Sequence, residues 1–444
     1  MGSFPPITFV IFIVGLVLFF TGKVKQLAYL ASISFIFHAA YISPFLTRIR
    51  PHQLIYALFI LLILIHMLLS SKNSIRFSKK FDKPLIFAFY IIPASILANI
   101  LAAGELASPA HSTGFGSTVQ SGINALVPIA VNSAILSQNL YIFFPIVIFY
   151  CLRKLDADIL NKCINYFIYS VAFLTMWNLF NLIELIVFNG TLLTDITRYL
   201  VGREGGYGST SGFGFTRIGG FVGEPSHYAY VTLPAFGYVM GKSITDIKYK
   251  KKWYMLALLF LFGLIISFST SGFASIIIFM TIYSLYNFKR KIYIYMTLFL
   301  IVIIVTGAIF FGEYLNAFIQ YNMAKITLGQ GSFAIRIWSV KHNLILFLKY
   351  PFLGIGIGSG GALGGIVTVL TNIGIIGMGF LFFSFRGVFP IYSKGILFAF
   401  YALIIYNGIT GDLSTFFSPI FALLFAYASK NKLRKLYSTR LRFI

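Results

Sequence analysis

The sequence is short of charge. Only 10% of its 444 residues are Asp, Glu, Lys or Arg, and 35 of these are basic against 11 acidic. A soluble chain carries about 25% charged residues, so most of this surface is expected to face lipid. Cysteine is scarce too. Cys151 and Cys163 flank one basic loop, form neither a metal-ligand pattern nor a disulfide framework, and read as reduced structural residues. A cleavable leader is not expected either. The apolar run Ile7 to Phe20 has nothing basic before it and no small-residue cleavage site before Lys23, so it reads as a retained first span.

What the chain has is apolar length. Hydrophobic residues make up 58% of it and the mean hydropathy is +0.87, enough for a dozen or so spans of about 20 residues each. The predicted helices cover 6–21, 27–46, 53–70, 84–103, 122–152, 164–188, 225–241, 253–269, 272–288, 292–311, 363–385, 395–410 and 414–429. The fifth is too long for one straight span. It reads as a re-entrant or outer-surface segment followed by a span ending near Tyr150. Ser269-Thr270-Ser271-Gly272 is a turn signal that splits the eighth from the ninth.

The net charge of +24 would suggest nucleic acid in a soluble protein, but here Lys and Arg cluster between apolar runs. With the N-terminus outside, the inner loops hold 26 of the 35 basic residues, and that asymmetry supports an N-out, C-in orientation. The expected fold class is therefore all-α: a polytopic integral membrane protein of about 13 transmembrane helices, a single membrane domain over 1–444. Two long loops lie outside, at 189–224 and, larger, at 312–362 between the tenth and eleventh spans. Inner loops are too short to house a nucleotide site, so function belongs outside or within the membrane.

Three constellations could carry chemistry. In Arg217-Ile-Gly-Gly-Phe-Val-Gly-Glu224-Pro-Ser-His227, Pro225 suits the first helical position, which puts Glu224 at the cap and His227 in the first turn. A bland alternative is an Arg217–Glu224 pair that only fixes the loop. In Ser332 to Asn343, polar Ser332, Arg336, Ser339 and Asn343 recur beside apolar Phe333, Ile337, Val340, Leu344 and Leu348. That is an amphipathic helix, expected at the membrane interface with Arg336 at headgroup depth and Lys341, His342 and Lys349 near it. The bland alternative is an ordinary interfacial helix with snorkelling cations. In Gly354-Ile-Gly356-Ile-Gly358-Ser-Gly360-Gly361, the glycines suit either an anion site of backbone amides or close helix packing. Asp412 reads as a cap, His111 as solvated, and His38 and His66 as packing or hydrogen-bonded residues.

The Arg217…Glu-Pro-Ser stretch opening a span, followed by Arg336-Ile-Trp and Tyr-Pro-Phe-Leu-Gly-Ile-Gly-Ile-Gly, resembles the Wzy polymerase and O-antigen ligase superfamily. The motifs occupy only about 217–228 and 332–376. The resemblance implies a GT-C-like, metal-independent glycosyltransferase with no cofactor, in a bacterial inner (plasma) membrane. Its partners would be the bilayer, an undecaprenyl-pyrophosphate-linked glycan donor and acceptor, and a chain-length regulator; nucleic acid is not among them. Carried over by motif, Arg217 and Arg336, with Lys341, would bind the pyrophosphate, and Glu224, or else His227, would be the catalytic base. The ligases' His-Asn pair after the glycine-rich stretch is missing from Gly361 to Gly374, which favours a repeat-unit polymerase over a ligase. A flippase or other transporter is the rival class, but few ionisable residues fall in mid-span, where a transport pathway would need them.

Overall fold

A computed structural model describes residues 5–41, 49–69, 83–107, 127–130, 133–202, 219–286, 331–359, 365–385, 393–410 and 418–440, with isolated positions 312, 316, 320 and 323. It is mostly α-helical with almost no strand. The order is α1 (Pro6–Phe20), α2 (Val24–Ile33) with a 3₁₀ turn Ser34–Phe37, α3 (Pro51–Leu69), α4 (Lys83–Leu101), α5 (Ser133–Leu152), α6 (Ala157–Val187) and α7 (Leu192–Val201). It continues with a 3₁₀ turn Gly220–Val222, α8 (Pro225–Thr245), α9 (Lys250–Ile266), α10 (Thr270–Tyr286), α11 (Gly331–Lys349), α12 (Ile366–Phe385), α13 (Lys394–Thr410) and α14 (Pro419–Arg440). Between α4 and α5, β1 (Leu106–Ala107) pairs antiparallel with β2 (Val127–Pro128).

Three described helices, Pro51–Leu69, Ala157–Val187 and Ile366–Ser384, are long and apolar enough to cross a membrane. Others, such as Pro6–Phe20 and Thr270–Tyr286, are apolar but shorter. The predicted helices at 253–269 and 272–288 are separate, broken at Ser267–Ser269 with Phe268 left-handed. The fifth begins at Ser133, after β2, and runs to Leu152. The tenth, 292–311, lies outside the described residues. One helix was not foreseen: α7 sits inside the predicted 189–224 loop. The Glu184 carboxylate caps it, accepting from the amides of Leu192 at 2.7 Å and Leu193 at 2.8 Å. Those amides begin a helix and have no partner within it.

α8 is the centre of the bundle. Every residue from Tyr228 to Gly241 is buried. It runs antiparallel to α13, whose Lys394 carbonyl lies against Gly241 and whose Phe398 carbonyl lies against Gly237. The Gly-x-x-x-Gly spacing is what admits this approach: a Cβ at Gly241 or Gly237 would sit 2.3 or 2.4 Å from those oxygens. Apolar side chains crowd the periphery. Phe9, Val17 and Phe20 on α1, Leu68 on α3 and Phe89 on α4 are all exposed, while Thr175, Asn178 and Asn181 on α6 are buried. This distribution is compatible with a membrane protein.

The glycine-rich segment after α11 straps a broken helix. α12 is interrupted at Gly374, whose φ of 63° and ψ of −176° are not helical. A side chain there would be strained, and a Cβ would meet the Phe352 carbonyl at 2.2 Å. The amides beyond the break find partners in the strap. Ile375 donates to Pro351 O at 2.8 Å and Ile376 to Phe352 O at 3.1 Å, while Ile355 and Gly356 donate back to Thr371 O and Asn372 O. Ser95 Oγ takes the Ile357 amide at 2.7 Å. The amides of residues 355–357 are thus spent on the protein itself and leave no donor there for an anion, while Gly360, Gly361 and Gly364 lie outside the described residues.

The α8–α13 seam makes a prediction. Gly241→Ala should destabilise the solubilised protein by about 1–3 kcal/mol, the usual range for overpacking. Gly379→Ala, on open surface of α12, should be neutral or slightly stabilising. Thermal unfolding of both variants in one detergent checks this, and equal midpoints would show that the seam tolerates separation.

Candidate functional site

Glu224 occupies the cap position of α8 with Pro225 first in the helix, as the sequence predicts. Its carboxylate does not cap the helix. Instead Glu224 Oε2 accepts from Ser226 Oγ at 3.2 Å. The loop before it is rigidly held. Gly220, at φ +57°, lies so close to Asn178 that a Cβ would fall 2.1 Å from Asn178 Oδ1. Phe221 is buried among Phe37, Phe173 and Trp177, with ring centroids at 5.4, 6.3 and 5.1 Å. Its carbonyl accepts the Ala39 amide at 3.2 Å. On the other side, Tyr406 Oη of α13 donates to the Ser226 carbonyl. Three elements therefore fix the start of α8.

His227, half-buried, meets two further histidines. Its ring centroid is 4.7 Å from that of His38, which lies 6.0 Å from the nearly parallel ring of His52. His38 follows the 3₁₀ turn after α2, and His52 is the second residue of α3. Phe35 backs His52 at 4.8 Å, and Tyr230 lies between His38 and Tyr406 at 6.4 and 5.7 Å. Sequence reading missed this gathering. It took His38 for a packing residue and gave His52 no role. A partial signal was available, because His52 and His227 fall near span ends that the predicted topology puts on one face, whereas His38 falls within a predicted span. Among the described residues no group of three or more His, Cys, Asp or Glu side chains is arranged to hold a metal ion.

The second constellation is built on α11. Arg336 is in α11, but its side chain is outside the described residues, and Arg217 lies outside them altogether, as do His111 and Asp412. Lys341 is exposed on α11. That helix turns its polar side inward. Ser339 and Asn343 are buried, Asn343 donates to Thr368 Oγ1 at 3.0 Å, and Thr371 Oγ1 donates to Asn343 O at 2.8 Å. Leu344 and Leu348 are exposed, so the apolar side faces outward. His342 Nε2 donates to the Leu106 carbonyl at 2.7 Å. Lys349 pairs with Glu105, which also accepts from Tyr350 Oη at 3.2 Å. His66 is a hydrogen-bonded helix residue, donating from Nδ1 to Leu62 O at 2.9 Å. Both cysteines are free and buried.

Compared with known proteins, the chain matches no family model and no curated protein. Its chemistry has to be argued from its own residues.

The Glu105–Lys349 pair is exposed and titrates. The hydrogen bond from Lys349 holds the Glu105 carboxyl below its ordinary value, and the same bond raises Lys349. A lowered carboxyl contributes stability that is complete above its unfolded value and lost as pH falls through the folded one. The tether between α11 and β1 should therefore loosen in acid, below the usual carboxylate range of about 4. Hydrogen exchange at Leu106–Ala107, corrected for intrinsic rates, should rise there. Glu105→Gln should show the raised exchange already at neutral pH, and a pH-independent rate in the unaltered protein would mean that the pair does not hold the strand.

Proposed function

We propose that this chain is an integral membrane polymerase of lipid-linked oligosaccharide repeats, acting at the outer face of a bacterial inner membrane. About 13 spans, N-terminus out and C-terminus in, and a GT-C-like arrangement belong to the same reading. The observation that carries it is the convergence of Glu224, Ser226 and His227 with His38 and Tyr406 at one end of the buried helix α8. A helix of 21 residues is about 30 Å long, close to the thickness of a bilayer's hydrocarbon core. With Lys242 at its far end as an inner anchor, Glu224 reaches the outer boundary.

Contacts between distant segments agree with that orientation. Residues assigned outside meet one another, as Glu105 does with Lys349. Residues assigned inside do likewise. Lys252 Nζ donates to Tyr169 Oη, and Lys394 approaches the Tyr286 ring. The outward apolar side of α11 fits a helix lying at the interface, with exposed Lys341 available to phosphates.

In this reading Glu224 takes the proton of a sugar hydroxyl on the incoming lipid-linked unit. The freed oxygen attacks the anomeric carbon of the growing glycan. The bond from that carbon to the pyrophosphate oxygen breaks, and the polyprenyl pyrophosphate leaves with the electron pair. Arg217, Arg336 and Lys341 hold the leaving group. Guanidinium suits that task because it stays charged and binds phosphate oxygens in pairs.

Purified protein given a synthetic pyrophosphate-linked repeat, with no nucleotide and with EDTA, should yield a ladder of lengthening glycans. Glu224→Gln should slow elongation by at least about 100-fold, the scale of a lost general base. Arg336→Ala should weaken donor use. A single added sugar chain on a different acceptor would mean a ligase, and no product from folded protein would point to transport. Orientation has its own test. Single cysteines in Lys154→Cys and Lys341→Cys, at exposed polar positions in a chain with Cys151 and Cys163 replaced, should react with a membrane-impermeant maleimide in intact cells only at 341.

A further inference from the structure

The histidine group next to Glu224 is not used by the reaction as written above. His227 is half-buried, and His38 and His52 are buried, so the three rings lead from the edge of the site into the bundle. His52 Nδ1 is buried without a hydrogen-bond partner, which is an uncommon condition for a polar atom. Imidazole is the side chain whose charge changes near neutral pH, and rings this close titrate together. The surrounding charged and titratable groups limit what they can do. Glu224 and Tyr230 come from α8, Tyr406 from α13, and Arg50 and Tyr56 from α3 and the residue before it. α1 and α6 contribute Thr8 and Phe167 beside the turn, which do not titrate. One carboxylate favours a proton on the nearby rings. Arg50, two residues before His52, brings positive charge to the deep end of the group, so an added proton belongs on the Glu224 side.

We propose that His38 pairs with His227 to hold the proton that Glu224 removes from the acceptor hydroxyl, with His52 behind them. The inference rests on the polymerase reading for the source of that proton. The proton passes from the hydroxyl to the Glu224 carboxylate and then to the His227–His38 pair, leaving the carboxylate ready for the next unit. It returns to solvent from half-buried His227. His38 is thus a positioning residue that acts through His227.

Histidine-labelled protein in lipid nanodiscs, titrated by NMR from about pH 5 to about pH 9, tests the pairing without any substrate. His38 and His227 should titrate in two coupled steps in the unaltered protein, and His38→Gln should move the His227 midpoint by about half a pH unit or more. Independent single titrations in the unaltered protein overturn the pairing even if every variant misfolds. Elongation gives the second readout. His38→Gln should shift the acid limb of the pH–rate profile, whereas a purely structural role would lower the rate equally at every pH. An unmoved limb therefore overturns the pairing while the ladder sustains the polymerase. Coupled titration with no ladder from the unaltered protein overturns the polymerase alone.

Discussion

The contact between α8 and α13 is the constraint on which the rest depends. A helix buried on all sides can carry the polar residues that its lipid-facing neighbours cannot, and α8 carries Tyr228, Tyr230, Thr232 and Tyr238. Burial of that kind needs backbones to come close, and Gly237 and Gly241 permit it along one seam. The seam also sets the site. With the helices in this antiparallel register, Tyr406 reaches the Ser226 carbonyl, and Glu224 and His227 are held relative to α13. In apolar surroundings the attraction between helices comes from packing and interhelical hydrogen bonds rather than from water exclusion, so a loss of fit here has little to offset it.

Much of the helical plan was legible because apolar length is a strong signal. The boundaries of α8, α10 and α13 fall within a few residues of the predicted ones, and the Pro225 start was read from a single residue's missing amide. Less legible was what depends on partners distant in sequence. The 189–224 loop hides α7, whose cap comes from Glu184 in the preceding helix. The Gly237–Gly241 spacing was in plain view but has no meaning until a second helix is known to lie against it. His52 looked like a residue just outside a span, and its meeting with His38 and His227 depends on how α2, α3 and α8 pack. The site's arginines are a different case, because Arg217 and the Arg336 side chain lie outside the described residues and rest on sequence reading alone.

The two candidate constellations divide their tasks by what holds them. The start of α8 is immobilised by aromatic packing around Phe221 and by the Tyr406 contact, as a group that must meet a reacting atom requires. α11 is held along its inner side by Ser339, Asn343 and α12, and at its end by the strap and the Glu105 pair. Its outer side, with Leu344 and Leu348, is exposed. In the proposed reaction a long flexible polyprenyl donor would suit a surface helix of this kind, and the sugar chemistry the fixed start of α8.

The strap from Pro351 to Gly358 has a consequence for how this chain can vary. Its carbonyls complete the hydrogen bonding of a helix broken at Gly374, and its amides are taken up by α12 and by Ser95. An inserted or deleted residue there would shift every one of these pairings and leave buried amides bare where no water can reach them. The distance from α11 to the helix break is thus fixed, and changes in chain length have to fall outside it.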